Sequence, residues 1–91
     1  MNILIINSGS SSIKFQLIEM PSETLICSGL VERIGHKDAI VNYKTDSASL
    51  QQIDNIQIHN QGLHKIVKLL LDPEMGVLKS TDEIEVVGHR V

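Results

Sequence analysis

The sequence has 91 residues, with eight basic and eleven acidic side chains, a formal net charge of −3 and 42% hydrophobic residues. This suits one small globular domain, or part of a larger one, with a modest core. It lacks the basic stripe of a nucleic-acid-binding protein, an apolar run long enough to span a membrane, and a secretory signal pattern. The single cysteine, Cys27, fits a reducing compartment, so a cytoplasmic protein is predicted.

The first half of the chain predicts a series of strands. Residues 3–7 and 12–19 are predicted to form a hairpin, in which side chains on the second strand alternate between two faces. One face carries the polar residues Ser12, Lys14 and Gln16, and the other carries the apolar residues Ile13, Phe15 and Leu17. Further strands are predicted over 24–34 and 39–45, and the alternation around Ile56 and Ile58 indicates a short fifth strand.

The second half predicts one main helix. Apolar residues recur at helical spacing from Leu63 to Leu71, with Asn60 as the expected N-cap and Pro73 just beyond the end. The capping-box spacing of residues 80–83 predicts a single helical turn before a last strand at 84–91. The fold class is therefore predicted as α/β, a mixed and mostly antiparallel sheet with one main helix.

The turn between the first two strands is the strongest functional signal. It reads Asn7-Ser8-Gly9-Ser10-Ser11-Ser12-Ile13-Lys14. Serine-rich segments are usually flexible linkers, but strands enter and leave this one directly. Gly9 permits positive φ, which would let successive N–H groups converge on an anion such as phosphate. A Walker A loop is excluded because a strand, not a helix, follows.

Two flanking side chains extend this anion-binding hypothesis. Lys14 can reach a phosphate oxygen as a point charge, and the amide oxygen of Asn7 can hold Mg²⁺ through a water molecule. The histidines offer no convincing metal site, because His59 and His64 are five positions apart and do not share a helical face.

The turn also carries a family resemblance. The run from Ile5 to Phe15 resembles the N-terminal signature of acetate kinases, and the run Asp82–Val91 resembles a second stretch of that family. Leu69–Pro73 and the Gly76-Val77 pair fit the same pattern, so the resemblance covers essentially the whole chain. It implies an actin-like (ribonuclease H-like) ATPase domain. It further implies reversible phosphoryl transfer from ATP to acetate, giving acetyl phosphate and ADP, with Mg²⁺ and as a homodimer.

The resemblance also implies roles for single residues. Asn7 matches the position near magnesium, and Arg90 matches the arginine that binds the acetate carboxylate or the transferring phosphoryl group. The planar guanidinium suits either group, and its charge can stabilise the transition state. The residues implied in ATP or phosphate binding are Gly9, Ser10, Ser12 and Lys14.

The length departs from the family. Acetate kinases are several times longer, and the resemblance implies that their catalytic aspartate, later histidines and adenosine-binding segment lie beyond Val91. Residues 1–91 are therefore expected to be the truncated N-terminal part of an acetate kinase domain, inactive alone. Two alternatives remain open. One is a kinase for propionate or butyrate, and the other is a non-catalytic nucleotide- or anion-binding module of the same superfamily.

Overall fold

The computed structural model describes residues 1–90, and of Arg90 only the backbone. One helix, α1 (His59–Leu70), lies between the fifth and sixth strands, and a 3₁₀ turn, Thr81–Glu83, precedes the sixth. The strands are β1 (Asn2–Ser8), β2 (Ile13–Glu19), β3 (Thr24–Glu32), β4 (His36–Thr45), β5 (Ser49–Ile56) and β6 (Val86–Arg90).

The strands form a single sheet in the order β5-β4-β3-β2-β1-β6. Neighbouring strands run antiparallel, except that β6 returns after the helix to pair parallel with β1. A parallel pair needs such a crossover, whereas the five hairpin-connected strands do not. The predicted class, a mixed and mostly antiparallel sheet with one helix, is confirmed.

Side-chain alternation gives the sheet two unlike faces. The helix face is apolar and packs against α1. Its buried strand residues are Leu4, Ile6, Ile13, Phe15, Leu17, Cys27, Val31, Ala39, Val41, Tyr43 and Ile56. The helix contributes Ile66, Leu69 and Leu70 to the same core. We call the opposite side the open face. The predicted split of β2 is confirmed, since Lys14 is exposed while Phe15 is fully buried.

The two aromatic rings of the chain pack together on the helix face. The ring centroids of Phe15 and Tyr43 are 6.3 Å apart at an interplanar angle of 19°. Gly29 lies on β3 between them, paired with Phe15 of β2 on one side and with Tyr43 of β4 on the other. A Cβ atom at Gly29 would clash with the Phe15 ring and lie 2.6 Å from the backbone oxygen of Asn42. The glycine therefore makes the room that the aromatic pair needs.

Two polar atoms lie deep in this core. Cys27 is buried, and burial raises the pKa of its thiol to about 11. The Tyr43 hydroxyl is buried without a hydrogen-bond partner among the described residues, and desolvation raises its pKa well above the usual value. Neither group is placed to react with a ligand from solvent.

Several strand boundaries differ from the prediction, and β6 begins at Val86 rather than at residue 84. β3 ends at Glu32 because the backbone turns through left-handed φ values at Arg33 (61°) and Gly35 (101°). β4 consequently begins at His36, three residues early. The fifth strand expected around Ile56 and Ile58 exists but lies earlier in the chain, because β5 pairs with β4 over Ser49–Ile56 and ends at Ile56.

The helix start also differs from the prediction. The N-cap position is Ile58 and the first helical residue is His59, so Asn60 is not the cap. The Gln61 side chain instead accepts a hydrogen bond from the Gln57 N–H at 2.7 Å, which satisfies a backbone donor just before the helix.

Beyond α1, the capping box from Ser80 to Glu83 is present as predicted. A membrane-spanning helix is absent from residues 1–90.

Candidate functional site

The loop that joins β1 to β2, residues 9–12, is short and constrained. The Gly9 N–H donates to the Ser12 carbonyl at 2.8 Å across its base. Gly9, Ser10 and Ser11 are exposed, and Ser12 is half-buried. The prediction of a tight turn rather than a flexible linker is therefore confirmed.

The backbone of this loop corrects one expectation. Among residues 1–90, positive φ occurs only at Glu23, Arg33 and Gly35, so Gly9 does not adopt the left-handed conformation. The expectation that a left-handed Gly9 would let successive N–H groups converge on an anion was therefore wrong. A Cβ at Gly9 would lie 2.9 Å from the Ser12 hydroxyl oxygen, so a larger residue there would require the Ser12 side chain to rotate.

Two contacts from distant segments hold the loop. The Ile34 N–H, in the β3–β4 turn, donates to the Ser11 carbonyl at 2.9 Å. The Nε2 atom of His59 lies 2.8 Å from the Gly9 carbonyl oxygen. Sequence reasoning considered His59 only as a metal ligand and missed this contact. No local pattern indicates it, because 50 positions separate the two residues.

The β3–β4 turn that reaches the loop is itself fixed. The Gly35 N–H donates to the Ile56 carbonyl at 2.8 Å, which ties the turn to the end of β5. Arg33 and Asp38 form an exposed ion pair at 3.2 Å, and the hydrogen bond from Arg33 holds the pKa of Asp38 below its usual value. The loop, the turn, the end of β5 and the start of α1 thus form a closed ring of contacts.

The sheet register brings several predicted residues together. Asn7 at the end of β1 pairs with Lys14 on β2, and on its other side with the backbone of Arg90 on β6. Asn7 and Lys14 are both exposed. The Arg90 side chain, like Val91, lies outside the described residues. Three positions from distant parts of the sequence are therefore neighbours in one row across the sheet.

The same row continues into a cleft of about 580 Å³ on the open face. Lys14 and Lys44 supply two ammonium groups to it. The other polar side chains lining it are Gln16, Ser28, Asn42, Ser49 and Gln51. Its described lining has no carboxylate, which favours an anionic or polar occupant. Lys14 alone among the predicted site residues borders the cleft.

The described residues do not by themselves fit a magnesium centre. Mg²⁺ requires six oxygen ligands in near-octahedral geometry and usually takes one or two carboxylates together with phosphates and waters. Within residues 1–90, no group of three or more histidine, cysteine, aspartate or glutamate side chains can hold a metal ion. At the end of β1, Asn7 offers one amide oxygen.

Comparison with known proteins gives a family match over nearly the whole chain. The sequence model described as the acetokinase family matches residues 2–91. The acetate kinase of Flavobacterium johnsoniae is 53% identical over 91 residues, which are all of this chain and 23% of that protein. The chain thus spans about a quarter of the length of the relatives it matches.

Solved structures give the same match at the level of the fold. Porphyromonas gingivalis acetate kinase superposes with a TM-score of 0.94 at 31% identity, covering 99% of this chain and 23% of that one. A propionate kinase from Francisella tularensis superposes with a TM-score of 0.84 at 28% identity, covering 99% and 22%. The predicted actin-like ATPase fold is confirmed by these likenesses.

Proposed function

Because the chain belongs to the acetokinase family, we propose that the protein carrying it transfers a phosphoryl group reversibly from ATP to acetate, giving acetyl phosphate and ADP. We call the protein that has this chain and the remaining length of its relatives the full-length protein. The observation that carries the proposal is the family match over residues 2–91. Residues 1–91 then form part of one acetate kinase domain.

The β1–β2 loop is the proposed contact with the phosphates of ATP. The hydroxyl groups of Ser10 and Ser12 can donate to phosphate oxygens, and a small residue at Gly9 lets the chain turn closely against Ser12. The Lys14 ammonium, one residue into the strand that follows, supplies a positive charge on the open face. Positioning and charge stabilisation of this kind supply most of the catalysis of phosphoryl transfer.

Arg90 is the proposed contact with the acetate carboxylate or with the transferring phosphoryl group. Its backbone pairs with Asn7, the last residue but one of β1, so the acceptor site would adjoin the loop. A guanidinium can bind a carboxylate through two parallel hydrogen bonds, and it can also stabilise charge that develops on the phosphoryl oxygens.

A magnesium requirement follows from the proposed use of ATP, since the ion neutralises phosphate charge when bound. We assign Asn7 a contact near that ion as a proposal. The cytoplasmic location and the homodimer are likewise proposals, and sedimentation of the full-length protein at twice the monomer mass would support the second.

The test is an assay of the purified full-length protein with ATP and acetate. We expect ADP and acetyl phosphate to form in equal amounts and only when acetate is present. ATP hydrolysis without acyl phosphate would contradict the proposal, and ATP binding without any turnover would contradict it and favour the non-catalytic module. The isolated 91-residue chain should show less than about a tenth of the full-length rate, because the transition state needs charge stabilisation from several sides.

An arginine variant tests the assignment of the acceptor site. Arg90→Ala should lower kcat/KM by about 10²–10³-fold, since it removes a charged donor from the transition state. Arg90→Lys is the matched control: it keeps the charge but loses the planar fork, so we expect it to recover part of the rate. A near-normal rate for Arg90→Ala would remove this residue from the site.

Propionate is a second candidate acceptor. The likeness to a propionate kinase over 99% of the chain favours testing it. Measuring kcat/KM for acetate, propionate and butyrate separates the candidates, because one methylene in an apolar pocket changes the ratio by roughly 10- to 200-fold. The acyl chain that gives the highest kcat/KM identifies the acceptor.

A further inference from the structure

His59 makes a hydrogen bond that its place in the sequence does not indicate. It is the first residue of α1, is half-buried, and its Nε2 atom lies 2.8 Å from the Gly9 carbonyl oxygen. A carbonyl oxygen can only accept, so the ring nitrogen must be the donor. The loop is thereby joined to the start of the helix that covers the core.

The contact belongs to a set that draws the loop carbonyls into the protein. The Gly9 carbonyl is held by His59 and the Ser11 carbonyl by the Ile34 N–H at 2.9 Å. A carbonyl oxygen that faces a phosphate would repel it, because both carry negative charge. Because these two carbonyl oxygens are hydrogen-bonded to donors within the protein, the loop adopts a conformation that an anion can approach.

The start of α1 is a firm support for this contact. Gly62, in the first turn, is buried, and a Cβ there would come within 3.0 Å of Ile13 and 3.5 Å of Ile34. Ile13 follows the loop directly and Ile34 is the residue whose N–H holds Ser11. The first turn of α1 thus packs closely against one residue that follows the loop and one that hydrogen-bonds to it.

We propose that His59 is a positioning residue for the β1–β2 loop, holding the Gly9 carbonyl so that Ser10 and Ser12 face the phosphates of the nucleotide. The proposal rests on the function proposed above. His59 acts through the loop, so the binding of nucleotide should depend on His59 while the binding of the carboxylate should not.

Steady-state kinetics of the full-length protein test this dependence. His59→Ala should raise the KM for ATP about threefold to tenfold, the worth of one hydrogen bond, and change the KM for acetate less than about twofold. His59→Gln should return the KM for ATP to within about twofold of wild type, because its amide nitrogen can replace Nε2 as the donor. An unchanged KM for ATP in His59→Ala would overturn the proposal.

His64→Ala is the matched control. His64 lies on the same helix and is exposed, and its side chain makes no hydrogen bond with any residue from 1 to 90. We expect both KM values of this variant to equal those of wild type. A rise in the KM for ATP as large as that of His59→Ala would assign the effect to the helix in general and overturn the specific role.

Amide hydrogen exchange tests the same contact without any activity. In His59→Ala, the Gly9 and Ile34 amides should exchange about threefold to tenfold faster, and His59→Gln should restore their protection. The Met20 amide, which bonds to the Met1 carbonyl at the far end of the hairpin, is the internal control and should not change. Unchanged exchange at Gly9 and Ile34 would overturn the positioning role. If wild type lacks kinase activity, the proposed function fails while this readout still decides the contact.

Discussion

The two faces of the sheet are built from the same strands and differ in almost every other respect. On β2, Phe15 points into the core beneath α1, and its neighbour Lys14 lies on the open face beside Asn7. The helix face is apolar and buried, while the open face carries lysine, amide and hydroxyl groups around a cleft. Strand alternation thus separates stability from chemistry at adjacent positions, so substitutions one residue apart should affect different measurements.

The largest effect is expected from the centre of the helix face. Phe15→Ala should lower the free energy of unfolding by about 3–5 kcal/mol, because it removes a fully buried ring that packs on Tyr43. Urea unfolding followed by circular dichroism measures the loss. Phe15→Leu is the control, and it should lose less because it leaves a smaller cavity. A loss below about 1 kcal/mol for the alanine variant would show that the covered face is not the core.

Two glycines sharpen the comparison. Gly29→Ala should destabilise the protein by about 1–3 kcal/mol, since the new methyl group meets the Phe15 ring on the helix face. Gly88 pairs with Ile5 on the open face, and a Cβ there would meet no described atom within 4 Å. Gly88→Ala is therefore the matched control and should stay within about 0.5 kcal/mol of wild type. Equal losses in thermal or urea unfolding would remove the distinction between the faces.

Lys14→Ala makes the complementary test on the open face. In the full-length protein it should lower kcat/KM for ATP by about 10- to 100-fold, the worth of a charged hydrogen bond, with unfolding unchanged within about 0.5 kcal/mol. Lys44→Ala is the control, because Lys44 lines the same cleft but lies two strands away on β4. A normal rate for Lys14→Ala would mean that Lys14 only faces solvent.

The smallest effect on stability is expected from a substitution on the helix face. Tyr43→Phe removes a buried hydroxyl that has no hydrogen-bond partner among the described residues. An unpaired buried polar group is a cost to the folded state, so stability should rise by up to about 1 kcal/mol. The same urea experiment measures it. A loss of more than about 1 kcal/mol would reveal a bond to the hydroxyl, with the Cys27 thiol as its neighbour.

The alternation that creates the two faces could be predicted from sequence because it is local. The hairpin, the polar and apolar sides of β2, and the capping box at Ser80 all depend on residues within a few positions of one another. The family resemblance also identified the loop and its candidate residues. These parts of the prediction needed no knowledge of which strands pair.

The parts that could not be predicted depend on distant contacts. β5 is mostly polar along its exposed side, and only its pairing with β4 shows that it starts at Ser49. Asn60 is the better N-cap by propensity, yet the helix begins earlier, where the chain leaves β5 and meets the loop. His59 was missed for the same reason, since its partner lies on another element.

The parallel pairing of β1 with β6 has a consequence for synthesis of the chain. Five strands pair with sequence neighbours, but Ile3 pairs with Val86, a separation of 83 positions (86 − 3). Contacts this distant in sequence form late, because the loop they close must first be ordered. β1 therefore remains an apolar edge strand until residues 86–90 have left the ribosome, and edges of this kind pair with other chains. Until β6 is synthesised, Asn7 lacks its neighbour Arg90. The nascent chain therefore has the β1–β2 loop before it has the strand that completes the row of residues beside that loop.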